Sequence, residues 1–298
     1  MKKNIILTIF SLAAILCTAF FFSSCGKIDE NKVTESENLL FELNSDGESY
    51  SLTGIGDCTD KVIIIPSTYQ GKPITEIGAY AFKSEDITEV VIPDSVTTIK
   101  TGAFINCDSL ESVTLSSSLK SLERSAFESC SALKSIELPN SLTLIGNCAF
   151  SYCKSLENVV MSDSVTYIGR GAFQACKSLK SITLPDNVNI DGGAFAACES
   201  LTRIDFPASI EFVDWSVFSG CTSVTTITFA KQVPSHPYYY DFENLTTVIL
   251  KDGVTVANAS YFRNCTSLTT FVVSSSVESL GNPSFFEGCT SLKNIIIP

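Results

Sequence analysis

Residues 132–154 read ALKSIELPNSLTLIGNCAFSYCK, and residues 178–200 read SLKSITLPDNVNIDGGAFAACES. Both run Leu-Lys-Ser-Ile-x-Leu-Pro, pass through a second short apolar piece, and end in Ala-Phe-x-x-Cys. Aligned on its phenylalanine, this unit recurs at Phe82, Phe104, Phe127, Phe150, Phe173, Phe195, Phe218, Phe262 and, in PSFF, near Phe286, mostly at one nearly constant step. A fixed period in the range of about 20 to 50 residues marks a repeat architecture, in which each unit has an apolar edge that only its neighbours can cover.

The pattern inside one unit is that of strands. Leu133, Ile136 and Leu138 end in the alternation of a short extended segment, which the following proline terminates. A second extended piece fits Ser-Val-Thr-x-Ile, with glycine after it to permit the turn into Ala-Phe. Nothing in the spacing requires a helix. The expected fold is therefore a mainly β repeat solenoid over residues 55–298.

In this frame the cysteines are explained by their place in the coil. Cys107, Cys130, Cys153, Cys176, Cys198, Cys221, Cys265 and Cys289 each stand three residues after the aromatic position, forming a structural ladder down one interior edge. A free cysteine is small, apolar and a weak donor, suited to a buried corner where carbonyls need a partner. Zinc would need four converging ligands, which one thiol per coil with no nearby histidine does not provide. Disulfides between adjacent rungs fit the strand spacing of about 4.8 Å, but stacked side chains point the same way, and packing accounts for the repeat without a bond. Cys148 departs from the ladder and occupies a variable position before Ala149.

The unit resembles the BspA-like class of bacterial leucine-rich repeats, whose hallmark is L-x-x-I-x-L-P-x-x-V-x-x-I-G-x-x-A-F-x-x-C. Residues 50–82, YSLTGIGDCTDKVIIIPSTYQGKPITEIGAYAF, are similar to the first turn of that family. The resemblance implies a right-handed leucine-rich-repeat superhelix of about 23-residue coils with a parallel strand face. It further implies recognition by secreted or surface proteins, including adhesion, and no shared catalytic residues; neither enzyme activity nor a cofactor is expected.

Ahead of the repeats, residues 1–24 carry a basic start (MKKN), an apolar run from Ile5 to Phe22 and small residues before Cys25, the layout of a secretory signal. Phe22-Ser23-Ser24-Cys25-Gly26 resembles the lipobox of bacterial lipoproteins, which implies lipidation at Cys25 and an extracytoplasmic, membrane-anchored chain. Residues 25–38 read as a flexible tether. LLFEL and ESYSL around NSDG read as a capping hairpin over residues 39–54. At the other end IIIP, residues 295–298, either closes the stack or leaves an edge able to pair with another molecule.

The net charge of −12, more negative still without Lys2 and Lys3, makes nucleic acid a poor partner. The expected partner is a host matrix or cell-surface protein or a glycan. Two other readings stand beside it, a scaffolding lipoprotein inside the envelope and a glycan-processing accessory protein. Alternation along the first strand of each coil puts Ser112 with Thr114, Ser135 with Glu137, Asn158 with Val160, Ser181 with Thr183, Arg203 with Asp205, Thr226 with Thr228, Thr247 with Ile249 and Thr270 with Val272 on the outer face. Arg203–Asp205 is the opposite-charge pair there. The repeat breaks at QVPSHPYYYDF, residues 232–242. Tyr239 aligns with the core phenylalanine and Phe242 with the cysteine, so Tyr238 and Tyr240, near Trp215, become candidate ligand contacts. His236, the single histidine, sits between Pro234 and Pro237, which makes a catalytic triad improbable.

Overall fold

In the computed structural model, residues 35–209, 215–231, 242–257, 262, 264–280 and 284–297 are described. The chain winds as a parallel β-solenoid with two strand ladders. The first collects β3 (Val62–Ile64), β6 (Glu89–Val91), β8 (Ser112–Thr114), β10 (Ser135–Glu137), β12 (Asn158–Val160), β14 (Ser181–Thr183), β16 (Arg203–Phe206), β17 (Thr226–Phe229), β18 (Thr247–Leu250), β19 (Thr270–Val272) and β20 (Asn294–Ile296). The second collects β5 (Lys72–Ile77), β7 (Thr98–Ile99), β9 (Ser121–Leu122), β11 (Leu144–Ile145), β13 (Tyr167–Ile168) and β15 (Asn189–Ile190). The paired strands run parallel, for example Ser135 with Asn158 and Leu144 with Tyr167, and the strand pairing of the first ladder is interrupted between β8 and β10 and between β12 and β14. Coil length sets this register, since a neighbour's equivalent residue arrives one period later.

Local chemistry bends each coil at the Ala-Phe turn. The residue two before the phenylalanine is left-handed in successive coils, at Tyr80, Gly102, Ser125, Cys148, Gly171 and Gly193, and so is the residue just before the cysteine position, from Ser84 and Asn106 to Gly288. These turns are tied to the next coil by backbone bonds, such as Phe127 N to Ala149 O at 2.7 Å and Phe150 N to Ala172 O at 2.7 Å. Cys148 is thus more constrained than a variable position implies: with φ of 56° it holds a conformation that glycine supplies in three other coils. A 3₁₀ turn, Trp215–Phe218, makes the same corner in a coil that lacks the Gly-x-x-Ala signal.

The core runs the length of the solenoid. Phe82, Phe104, Phe127, Phe150, Phe173, Phe195 and Phe218 are buried, and successive rings stack with centroids 4.9 to 5.5 Å apart and nearly parallel planes. Leucines and isoleucines of the first ladder fill the space beside them.

At the N-terminal end, β1 (Leu40–Leu43) and β2 (Tyr50–Gly54) form an antiparallel hairpin, and β2 continues the second ladder in parallel with β5. Its turn is closed by Asn44 N to Ser49 O and by the Asp46 carboxylate, which accepts from Glu48 N and Ser49 N. A two-residue strand, β4 (Thr68–Tyr69), folds back on β5. Phe41 stacks on Tyr69, 4.5 Å between centroids, and Tyr50 meets Tyr69 edge-on.

Candidate functional site

The face to weigh is the outer side of the first ladder, because it is broad and repeats one residue pattern across every coil. In β10, Ile136 is buried between half-buried Ser135 and exposed Glu137; in β14, Ile182 lies between exposed Ser181 and Thr183. The outward residues are mostly small hydroxyls, which present donors and acceptors at the strand spacing without net charge.

Arg203 and Asp205 are brought together. Arg203 Nε donates to Asp205 Oδ2 at 2.7 Å and Nη2 to Oδ1 at 2.8 Å, a bidentate fork. Nη2 also donates to Thr228 Oγ1 at 3.2 Å. Strand alternation alone puts Thr228 outward with Thr226, yet Thr228 is buried. Its neighbour in register is Asp205, and the Arg203 guanidinium of the preceding coil reaches across it. Burial pushes the Asp205 carboxyl up, but hydrogen bonds from Arg203 and Thr228 and the Arg203 charge outweigh it, leaving it below its ordinary value. Held in this fork, the carboxylate is charge-paired and hydrogen-bonded, which suits it poorly to proton transfer.

The residue after each ladder leucine adds a column that alternation did not single out. In the first half it carries Glu111, Lys134, Glu157 and Lys180, paired as Lys134–Glu111 at 2.7 Å and Lys180–Glu157 at 2.5 Å. In the second half it carries Thr202, Thr225, Thr246 and Thr269, and each of their hydroxyls donates to a main-chain carbonyl of the preceding coil at 3.1 to 3.4 Å. The signal was in the sequence, as residues one period apart with opposite charge or with a repeated threonine. The face therefore changes from self-neutralised ion pairs to hydroxyls with Arg203 at the junction.

The interior ladder has one job per coil. The thiols of Cys107, Cys130, Cys153, Cys176, Cys198, Cys221 and Cys289 donate to the carbonyls of Phe82, Phe104, Phe127, Phe150, Phe173, Phe195 and Phe262, at 2.8 to 3.3 Å. Cys265 is buried in the same column. Burial pushes Cys107 and Cys265 up to about 12 and raises Cys130 and Cys176 well above the ordinary thiol value. Such thiols are poor nucleophiles and poor metal ligands. All ten described cysteines are free.

Phe242 is buried, and its carbonyl accepts from Leu245 N at 3.1 Å as the cysteine carbonyls do elsewhere. Trp215 opens the 3₁₀ turn; its side chain, Tyr238, Tyr239, Tyr240, His236 and Cys25 lie outside the described residues. Among the described residues no group of three or more His, Cys, Asp or Glu could hold a metal ion.

Parallel coils of nearly constant length, stacked phenylalanines and a cysteine at most corners define a leucine-rich-repeat solenoid. The chain belongs to the BspA type leucine rich repeat region family, whose model matches residues 75–201 and 188–298 in six copies. It is similar to a leucine-rich repeat protein from Bacteroides ovatus, at 26% identity and TM-score 0.50 over 89% of this chain and 88% of that one. The T. pallidum leucine rich repeat protein is similar in fold, at 22% identity and TM-score 0.50 over 80% of this chain and 91% of that one. No curated protein matches the chain.

Proposed function

We propose that this chain is an extracytoplasmic lipoprotein, anchored through Cys25 after removal of residues 1–24 and spaced from the membrane by residues 25–38. Its solenoid binds a macromolecule on a host or neighbouring cell, a surface or matrix protein or a glycan, without catalysis. The observation that carries the binding role is the outer face of β8 to β19, mostly small hydroxyls, with the Arg203–Asp205 fork within it, in a family whose shared feature is the solenoid itself. Such a plane suits a broad polar partner, because many donors and acceptors engage at once and few charges must be desolvated. On sequence grounds alone, Trp215, Tyr238 and Tyr240 are further proposed ligand contacts.

Protease shaving of intact producing cells tests the location. Repeat peptides released while a periplasmic control stays intact would support the reading; protection until the envelope is opened would replace it with an internal scaffold. For the contact, a Tyr238→Ala, Tyr240→Ala double variant that folds normally should lose binding to a matrix-protein and glycan array that the parent chain recognises. Unchanged binding would remove the two tyrosines from the site.

A further inference from the structure

The two strand ladders differ in continuity. The second pairs without a break from β2 to β15, whereas the first pairs as three separate sheets, β3 to β8, β10 to β12 and β14 to β20. In the paired coils Ile65 N donates to Val91 O at 3.1 Å, Ile92 N to Thr114 O at 2.9 Å and Leu138 N to Val160 O at 2.9 Å. Leu115 N and Met161 N, which hold the same place at the two breaks, make no such bond to Glu137 or Thr183.

Side chains and sequence mark the same two places. Val113 with Leu115, and Val159 with Met161, are half-buried, whereas the same positions in the coils that follow them, Ile136 with Leu138 and Ile182 with Leu184, are buried. The next residue is proline at Pro66, Pro93, Pro139, Pro185 and Pro207, but serine at Ser116 and Ser162. Proline fixes φ and offers no donor; a serine hydroxyl bonds to nearby main chain and side chains. Ser116 Oγ donates to Val96 O at 2.6 Å and Ser162 Oγ to Asn140 Oδ1 at 3.1 Å, each reaching into the preceding coil. Each also accepts from the N–H two residues on, Ser118 and Ser164, at 3.1 Å. The serine thus ties its coil to the one before, and the break falls on the side of the coil after.

We propose that these two breaks are hinges. The first ladder opens and closes between β8 and β10 and between β12 and β14, while the uninterrupted second ladder serves as the spine about which the coils turn. Opening there costs little, because the ladder bonds that other coils would have to break are already missing and the apolar residues behind them are already partly wet. In a solenoid each coil contacts only its neighbours, so a weak junction is not reinforced from a distance. The outer face of the first ladder is therefore three stiff plates joined at two lines. The hinges stand independently of what that face binds. Their use rests on the function proposed above: a partner laid across β8 to β14 sets the angle between plates as it docks.

Hydrogen–deuterium exchange of the full chain at single-amide resolution, without any partner, tests the hinges. The Leu115 and Met161 amides should be protected at least about ten-fold less than those of Ile92 and Leu138, their equivalents in paired coils. The spine amides of Gly146 and Gly169, which donate to Leu122 O and Ile145 O at 2.8 Å, should be as protected as Ile92 and Leu138. Equal protection at all six overturns the proposal, and so does exchange at Gly146 and Gly169 as fast as at the breaks, which would mean that whole coils separate. A Ser116→Pro, Ser162→Pro double variant restores the Leu-Pro and Met-Pro pattern of the closed coils. It should bring Leu115 and Met161 to the protection of Ile92 and Leu138; fast exchange persisting in a variant with the parent circular dichroism overturns the serine-built hinge. The comparison within the parent chain needs no variant, so it decides the question whether or not the prolines are tolerated. Loss of partner binding in any assay leaves these exchange results unchanged and bears only on the function proposed above.

Discussion

From Phe82 to Phe218 seven core rings lie face to face, whereas from Phe229 onward Phe229, Phe262, Phe271, Phe285 and Phe286 meet edge-on or tilted. The difference follows from coil length. In the first region the step is nearly constant, as in Phe104, Phe127, Phe150 and Phe173, so each ring arrives over the last in the same rotamer. In the second region the step varies: Thr226 pairs with Thr247 across a shorter coil, and Thr270 pairs with Asn294 across a longer one. The aromatic of the turn can no longer repeat its position, and strand aromatics such as Phe271 fill the gap. A stack of identical rings is thus a consequence of equal coils, and unequal coils build a mixed aromatic core instead.

The sharpest way to break the regular half is Phe150→Ala. Its ring is sandwiched between Phe127 and Phe173 with no solvent route by which the space could be filled, so a loss of about 3–5 kcal/mol is expected. Phe286→Ala, at the half-open last coil, should cost well under half of that. Urea denaturation of both variants decides it. Equal losses would mean that the end ring is as fully covered as the internal ones.

The cysteine ladder gives the next contrast. Cys153→Ala removes the thiol donor at 3.1 Å from the Phe127 carbonyl, which keeps the Cys130 N–H at 3.3 Å, a cost of about 0.5–1.5 kcal/mol. Cys289→Ala should cost less, because Cys289 is only half-buried and less packing is lost with its thiol. The same ladder makes the fold sensitive to alkali. The folded-state values of Cys107 and Cys265 are raised to about 12, above an unfolded value of about 8.5. Their stabilisation is therefore complete below about pH 8.5 and lost as pH rises through 12. A urea midpoint that falls steadily above pH 9, while a thiol reagent at pH 8 reaches Cys58 and Cys148 before any ladder cysteine, is the expected result.

A smaller effect, of opposite sign, is expected at the turns. Cys148 holds a left-handed backbone conformation where Gly102 and Gly171 stand in other coils. Cys148→Gly removes steric strain of about 1–2 kcal/mol but adds freedom to the unfolded chain worth about 0.5–1. A net gain of up to about 1.5 kcal/mol should appear as a higher urea midpoint. Lowered stability would show that the Cys148 side chain contributes packing that outweighs the strain.

What the sequence made legible was whatever repeats. Leu133, Ile136, Leu138 and Phe150 recur at one period, and one period is enough to read the solenoid, the coil length and the family. Backbone handedness was hidden, because Tyr80, Ser125, Cys148 and Gly171 share a left-handed φ without sharing a residue type. Burial of Thr228 was hidden too, since alternation describes one strand and Arg203 covers that threonine from the preceding one. The Glu111–Lys134 and Glu157–Lys180 pairs were readable only by comparing residues one period apart instead of neighbours.

Arg203 stands where the ion-paired half of the outer face gives way to the threonine half, and Arg203→Ala asks how much that junction holds. Both partners are well exposed, so screening limits the pair to about 0.2–1 kcal/mol. The Asp205 carboxyl lies below its ordinary value, so its contribution is present above about pH 4 and lost as pH falls through the folded value. The parent chain should therefore exceed Arg203→Ala in urea midpoint at pH 7 and approach it at pH 3. If the difference persists at pH 3, the guanidinium acts through its cover of Thr228 and not through charge. If it is absent at both, the fork contributes nothing to stability, and a loss of partner binding in Arg203→Ala would then assign it to recognition alone.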